Sequence, residues 1–271
     1  MKIRYVIMLA LSLLLLPASL WAKTVVFVHG FQSNGMGWRT SGVTPVLQQR
    51  GWRDGGHFVL TPQGPYNLLP TLSMGRPEQV FYTLDLPPRS PIALQASLLD
   101  SYLQAIYALR QEPLTLVGHS AGGVVARTWL VRTPTVPVNA LITIASPHLG
   151  TPLADIAKLA TNTPMATLGN NMGLDKWLED AENFYDDLRP EKPGKFLYWL
   201  NHQPHPAIRY VSVVRDNQPR PDQYDFTVPR NSQNMNNVFA LYGHSEVVSV
   251  KGTHFPDIED GFALAVILSR Q

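Results

Sequence analysis

The sequence predicts an α/β fold with a mainly parallel central sheet flanked by helices. Short apolar runs at residues 24–28, 79–83, 114–117, 140–144, 208–214 and 246–250 have the length and boundaries of buried strands. Between several of them lie longer stretches with apolar residues three and four apart, and alternation of this kind puts helices against a parallel sheet. With 271 residues, 45% apolar and 15% charged, the chain can bury a substantial core without staples.

Residues 1–22 stand apart from this pattern. Lys2 and Arg4 precede an almost wholly apolar run from Val6 to Leu16, followed by Pro17, Ala18, Ser19, Leu20, Trp21 and Ala22. That order is the charge, apolar core and small-residue end of a secretory signal peptide, expected to be cleaved after Ala22. The other reading is an uncleaved anchor, for which the run is short. Residues 23–271 then form one domain, and the expected location is the periplasm or beyond. Without residues 1–22, 20 Lys and Arg stand against 20 Asp and Glu, so nothing favours nucleic acid or an anionic surface as partner. The chain has no cysteine, which excludes disulfides, lipid-modified cysteine and thiolate metal sites.

The first strand, 24–28, runs into His29-Gly30-Phe31. Residues 32–77 are rich in Gly, Pro, Asn and Thr and read as loop with a short helix near 43–49. In 93–110 a helical stripe is formed by Leu94, Leu98, Tyr102, Ala105, Ile106 and Leu109, suited to covering the sheet. The strand at 114–117 is followed by Gly118-His119-Ser120-Ala121-Gly122 and a helical stretch. Residues 151–206 interrupt the strand order as a helical cap or lid-like insertion. Within it, residues 174–188 carry an apolar stripe that includes Trp177, Phe184, Tyr185 and Leu188, which could cover a pocket or simply pack on the domain. The last helix, 258–269, offers Phe262, Ala265, Val266 and Leu268 for docking.

G-x-S-x-G between a strand and a helix is the pattern of a nucleophile elbow, in which glycines make room around a serine held in a strained turn. A serine hydroxyl is a weak nucleophile at neutral pH, so Ser120 needs a base and an acid that orients the base. His254 is the favoured base, because Lys251-Gly252-Thr253 carries it from strand 246–250 to the sheet's C-terminal edge. His244 precedes that strand and would lie at the opposite end. For the acid, the loop after 208–214 supplies Asp216, Asp222 and Asp225. Asp225 is favoured because it heads Asp-Phe-Thr-Val-Pro, with Asp216 next because it lies nearest the strand end. Backbone N–H groups of Ala121, after the nucleophile, and Phe31, after the first strand, are the candidate oxyanion donors.

These residues together resemble an α/β-hydrolase of the lipase and esterase group, in the branch of bacterial lipases and GPI inositol-deacylase-like proteins. The likeness rests on His29-Gly30, Gly118-His119-Ser120-Ala121-Gly122-Gly123, Ser146-Pro147-His148-Leu149-Gly150-Thr151-Pro152, Asp225 and His254, with serine, acid and histidine in the family's chain order. It implies the α/β-hydrolase fold with eight strands, and a serine hydrolase that needs no cofactor and cleaves small-molecule or lipid esters. His148 and Thr151 match a string carried over as structural. The six strands recognised are two short of the family's eight, so 32–77 hides others or the fold is reduced. Some family members bind calcium near the histidine loop, but Asp257, Glu259 and Asp260 lack ligand spacing, and no metal is expected in the chemistry. The alternatives are other acyl transfer on the same residues (thioesterase, amidase or acyltransferase) and a noncatalytic binding protein.

Overall fold

A computed structural model describes residues 23–69, 77–132, 134–152, 182–216 and 228–270. Its elements run β1 (Lys23–Val28), α1 (Gly37–Thr40), α2 (Val43–Gln49), β2 (Arg53–Thr61), β3 (Gly64–Asn67), β4 (Gln79–Leu84), α3 (Ile92–Arg110), β5 (Leu114–His119), α4 (Ala121–Arg132) and β6 (Val138–Ile144). They continue with α5 (Glu182–Asp187), α6 (Phe196–Asn201), β7 (Arg209–Arg215), α7 (Arg230–Gln233), β8 (Ser245–Val250) and α8 (Ile258–Ser269). The strands form one sheet of eight in the order β3-β2-β4-β1-β5-β6-β7-β8. Every pairing is parallel except β2 with β3.

The strand period of two divides the core between the two sheet faces. Val26 and Val28 pack with α3 and α4 on one face, whereas Val25 and Phe27 join Trp38, Leu47 and Leu264 on the other. From β1 the chain runs to the β3 edge, returns as β4 beside β1, and then adds β5 to β8 on the opposite side. The strand order therefore reverses around β1, and the loops after β1 and β5 flank the crevice where such sheets place their sites.

The two missing strands are β2 and β3, both within 32–77. Gly55-Gly56 hides β2, since it breaks the apolar run and marks a shift in register against β4 between Asp54 and Gly56. A Cβ on Gly55 would collide with the Tyr82 ring, so the strand approaches β4 only because that side chain is absent. Pro65 lies in β3, the outermost strand, where its missing N–H costs no ladder bond.

Helix α8 has the expected bounds and α3 starts one residue earlier than expected. In both the buried face is rotated from the expected stripe while keeping Tyr102 and Ile106 in α3 and Leu268 in α8. In α3 the buried stripe is Ile92, Ala96, Leu99, Tyr102, Leu103 and Ile106, while Leu94 and Leu109 are exposed. The register was masked by Gln95, a buried polar residue whose amide donates to the Ser90 carbonyl at 2.7 Å. In α8, Leu264, Ile267 and Leu268 are buried, and Phe262 and Val266 are exposed. The helix turns on Gly261, where a Cβ would lie 2.9 Å from Val46 Cβ of α2.

Candidate active site

The turn between β5 and α4 holds Ser120 at φ 50°, in the left-handed region. Its N–H donates to the Ile144 carbonyl at 2.9 Å, which ties the turn to the end of β6. The glycines around it are required by contact. A Cβ on Gly118 would stand 2.5 Å from Gly123 Cα, and one on Gly122 would stand 2.5 Å from the Val28 carbonyl oxygen. Close approach of α4 to β1 and β5 is what leaves Ser120 at the head of the helix.

His254 meets this turn from the far end of the chain. Its Nε2 lies 2.9 Å from Ser120 Oγ, and both residues are buried. The loop that carries it is clamped by Arg215, the last residue of β7, and Asp260 of α8. Their two contacts are 2.7 and 2.9 Å, and neither side chain is exposed to solvent. Arg215 Nη2 also donates to the Phe255 carbonyl at 3.1 Å, and Asp260 accepts from the Asp257 N–H at 3.0 Å, closing a capping box at the start of α8.

The third part is the loop after β1. A Cβ on Gly30 would come 2.9 Å from Ser120 Cβ, so the backbone passes directly over the serine. Phe31 follows, buried and stacked on Phe184 with ring centroids 4.7 Å apart. His29 fastens the near end of the loop. Its Nε2 accepts from the Leu86 N–H at 3.0 Å, so Nδ1 carries the proton and donates to the Gly30 carbonyl at 2.8 Å. Burial holds His29 below its ordinary value and keeps it neutral, against smaller opposing effects of its backbone partners and Asp85. Asp85 fastens the far end by accepting from the Gly35 N–H at 2.7 Å, and its other oxygen meets His57 Nε2 at 3.3 Å. His57 Nδ1 is in turn 2.9 Å from Thr83 Oγ1, to which Arg39 donates. Ala121 opens α4, and its N–H belongs to the first turn, where helical partners are lacking.

The sequence profile of the alpha/beta hydrolase family matches residues 25–248, most of the chain. The protein belongs to the alpha/beta hydrolase family. Among solved structures this hydrolase is similar to a gene product of Listeria innocua, at 13% identity over 85% of this chain and 84% of that one, with a TM-score of 0.56. It is also similar to mature Bacillus licheniformis lipase BlEst2, at 16% identity over 92% of each chain and a TM-score of 0.55. A lipase-esterase related protein of Clostridium acetobutylicum aligns at 15% identity over 92% of this chain and 94% of that one, with a TM-score of 0.50. No curated protein matches the chain.

Of the residues singled out from the sequence, the hydrolase brings Ser120, Ala121, Phe31 and His254 to one crevice. His244 stands at the start of β8, the opposite end of the sheet. Asp216 follows β7 directly and accepts from Arg230 at 3.3 Å, while Asp222 and Asp225 lie outside the described residues. Asp257 and Asp260 serve the helix cap and the Arg215 pair, and among the described residues no group of three or more His, Asp or Glu could hold a metal ion. His148 is fully buried, with Nε2 3.0 Å from Thr143 Oγ1.

Within residues 174–188, the described part packs on the domain. Phe184 and Tyr185 both lie against Phe31, and Asp187 accepts from the Ile92 N–H at 2.8 Å, capping α3. Residues 174–181 lie outside the described residues.

The roles of His29, Asp85 and Arg215 were missed from sequence. Asp257-x-x-Asp260 before an apolar helix was a usable signal for the capping box. Apart from the His29 bond to Gly30, the other contacts of these residues join positions far apart in the chain and leave no local pattern.

Proposed function

We propose that this protein is an exported serine hydrolase that cleaves carboxylic esters of lipid-like character. The observation that carries the reading is the 2.9 Å approach of His254 Nε2 to Ser120 Oγ, with the serine at φ 50° on a strand-to-helix turn. Ser120 Oγ attacks the ester carbonyl carbon while its proton passes to His254 Nε2. The tetrahedral oxyanion is held by the N–H groups of Phe31 and Ala121. Collapse breaks the bond to the alkoxy group, which leaves as an alcohol with the proton from His254. Water then repeats the sequence, giving the acid and free Ser120. Asp225 orients His254 through the other ring nitrogen. Asp216 is the less favoured acid, its contact at 3.3 Å being with Arg230.

The preference for apolar esters draws support from the resemblance in the elbow and Ser146–Pro152 strings, and from two similar structures whose names include lipase. Export rests on the pattern of residues 1–22, and N-terminal sequencing of the secreted protein tests it.

The test of the chemistry is fluorophosphonate labelling of the mature protein beside Ser120→Ala, read by mass spectrometry of the peptide, followed by p-nitrophenyl esters of increasing chain length. The reading expects label on Ser120 alone and a fall in kcat of roughly 10⁴-fold or more in the variant. Folded protein that takes no label would overturn it. Asp225→Asn should lose on the order of 10⁴-fold in kcat, whereas Asp216→Asn should stay close to wild type.

A further inference from the structure

His119, the x before the serine in the elbow, ends β5 and is buried. Its Nε2 lies 2.9 Å from the backbone carbonyl oxygen of His254. A carbonyl only accepts, so Nε2 carries the proton of the ring. The two imidazoles sit with centroids 5.0 Å apart, and the Trp38 ring meets His119 edge-on at 6.2 Å. The Nδ1 edge faces the loop after β1, where a Cβ on Gly30 would come within 3.1 Å of it. One side chain thus touches the three parts of the crevice: the serine turn by chain, the loop over the serine by contact, and the His254 loop by a hydrogen bond.

We propose that His119 is a positioning residue for the reaction, its Nε2–H fixing the His254 carbonyl so that the His254 ring is aimed at Ser120. The proposal rests on the reading that Ser120 and His254 carry the chemistry. The next carbonyl along, that of Phe255, is held by Arg215, so two consecutive peptide oxygens are pinned from the ends of β5 and β7. With both fixed, the backbone leading into the imidazole has little freedom, and a misplacement of about 1 Å at a reacting group costs on the order of 100-fold in rate.

The donor must also be uncharged, because His254 becomes positive during each turnover. The titratable and charged groups that face His119 are His254, Arg215 and His29. Burial, followed by the charges of His254 and Arg215, holds it well below its ordinary value and outweighs its hydrogen bond to the His254 carbonyl. An imidazole is thus a donor that adds no second charge beside the imidazolium.

The test compares His119→Leu with His119→Gln, whose amide nitrogen can reach the place of Nε2. The leucine variant should lose about 30- to 100-fold in kcat with KM within roughly threefold of wild type, and the glutamine variant should recover most of the loss. Leucine with near wild-type kcat overturns the proposal. So does glutamine as impaired as leucine when both melt like wild type. Nitrogen-15 NMR of the wild-type histidines gives a readout that needs no variant. The neutral Nε2–H form of His119 is expected at neutral pH, and an Nδ1–H form overturns the proposal. Absence of fluorophosphonate label on wild-type Ser120 overturns the reading of the site, and this proposal with it, even with the expected tautomer. Label on the wild type with any of the other adverse results overturns the proposal alone.

Discussion

Replacing Asp260 with leucine should cost more stability than replacing Asp260 and Arg215 together. Both side chains are fully buried and share contacts of 2.7 and 2.9 Å, so the single substitution strands a guanidinium in the interior, at about 3–5 kcal/mol. It also removes the acceptor for the Asp257 N–H, worth about 1 kcal/mol at a helix start. Adding Arg215→Met removes the stranded charge. What remains is the lost cap and a Phe255 carbonyl deprived of its donor, together about 2 kcal/mol. The second substitution should therefore give back about 2–4 kcal/mol. For a domain of this size each kcal/mol moves the melting point by about 2–4 °C, so the single variant should melt at least about 8 °C below wild type and the double variant clearly above the single. Equilibrium urea unfolding followed by tryptophan fluorescence measures all three differences. A single variant within about 1 kcal/mol of wild type, or a double variant no more stable than the single, would refute the reasoning.

The remaining predictions concern pH and backbone strain. His29, His119, His148 and His205 are all held below the ordinary histidine value by burial, His205 at about 4. The unfolded chain therefore binds more protons below about pH 6.5, and these groups contribute stability that is full above that point and lost as pH falls through their folded values. Urea midpoints should fall from pH 7.5 to pH 5 by an amount equivalent to at least about 2 kcal/mol, and a flat profile would contradict the assignment. Burial pushes Asp85 up, but its bonds to His57 and the Gly35 N–H outweigh that and leave it below 3.8, so its contribution is present above that value and disappears as pH falls further. Asp85→Asn should cost about 1 kcal/mol at pH 7 and flatten the acid end of the stability profile; an unchanged acid slope in the urea midpoints would count against it. Gln111 ends α3 at φ 52°, where glycine is the less strained residue. Gln111→Gly should gain about 0.5 kcal/mol after the entropy cost of glycine, and a lower urea midpoint would show that the cap is not strained.

Legibility in the sequence followed the range of the forces involved. Helices α2 and α8 have the expected bounds because their signals are local, and β8 differs from expectation by one residue at its start. The faces of α3 and α8 were displaced where tertiary contact overrode hydrophobicity: Gln95 is buried because a carbonyl is within reach, and Gly261 is buried because α2 presses against it. In β2 a glycine pair looked like a turn until Tyr82 explained the missing side chains. The elbow could be read because five consecutive residues encode it. His254 could be placed because a parallel strand delivers its following loop to a known edge of the sheet. The partner of Asp85 is 50 residues away and that of His29 is 57 residues away, so the fastening of the loop over Ser120 had no sequence signature.

The order in which the sheet grows has a consequence for synthesis. Ser120 and His254 are 134 residues apart, and β8, whose following loop carries the histidine, is the last strand added at the outer edge of the sheet. A chain emerging from its N-terminus can lay down β1 through β7 while the hydroxyl still lacks its base. Long-range pairing of this kind is slow to complete. On the proposed reading, chemical competence is the closing event of folding, so turnover during refolding should lag the recovery of secondary structure. On the same reading, a chain stalled or cut before its final strand is inert toward esters.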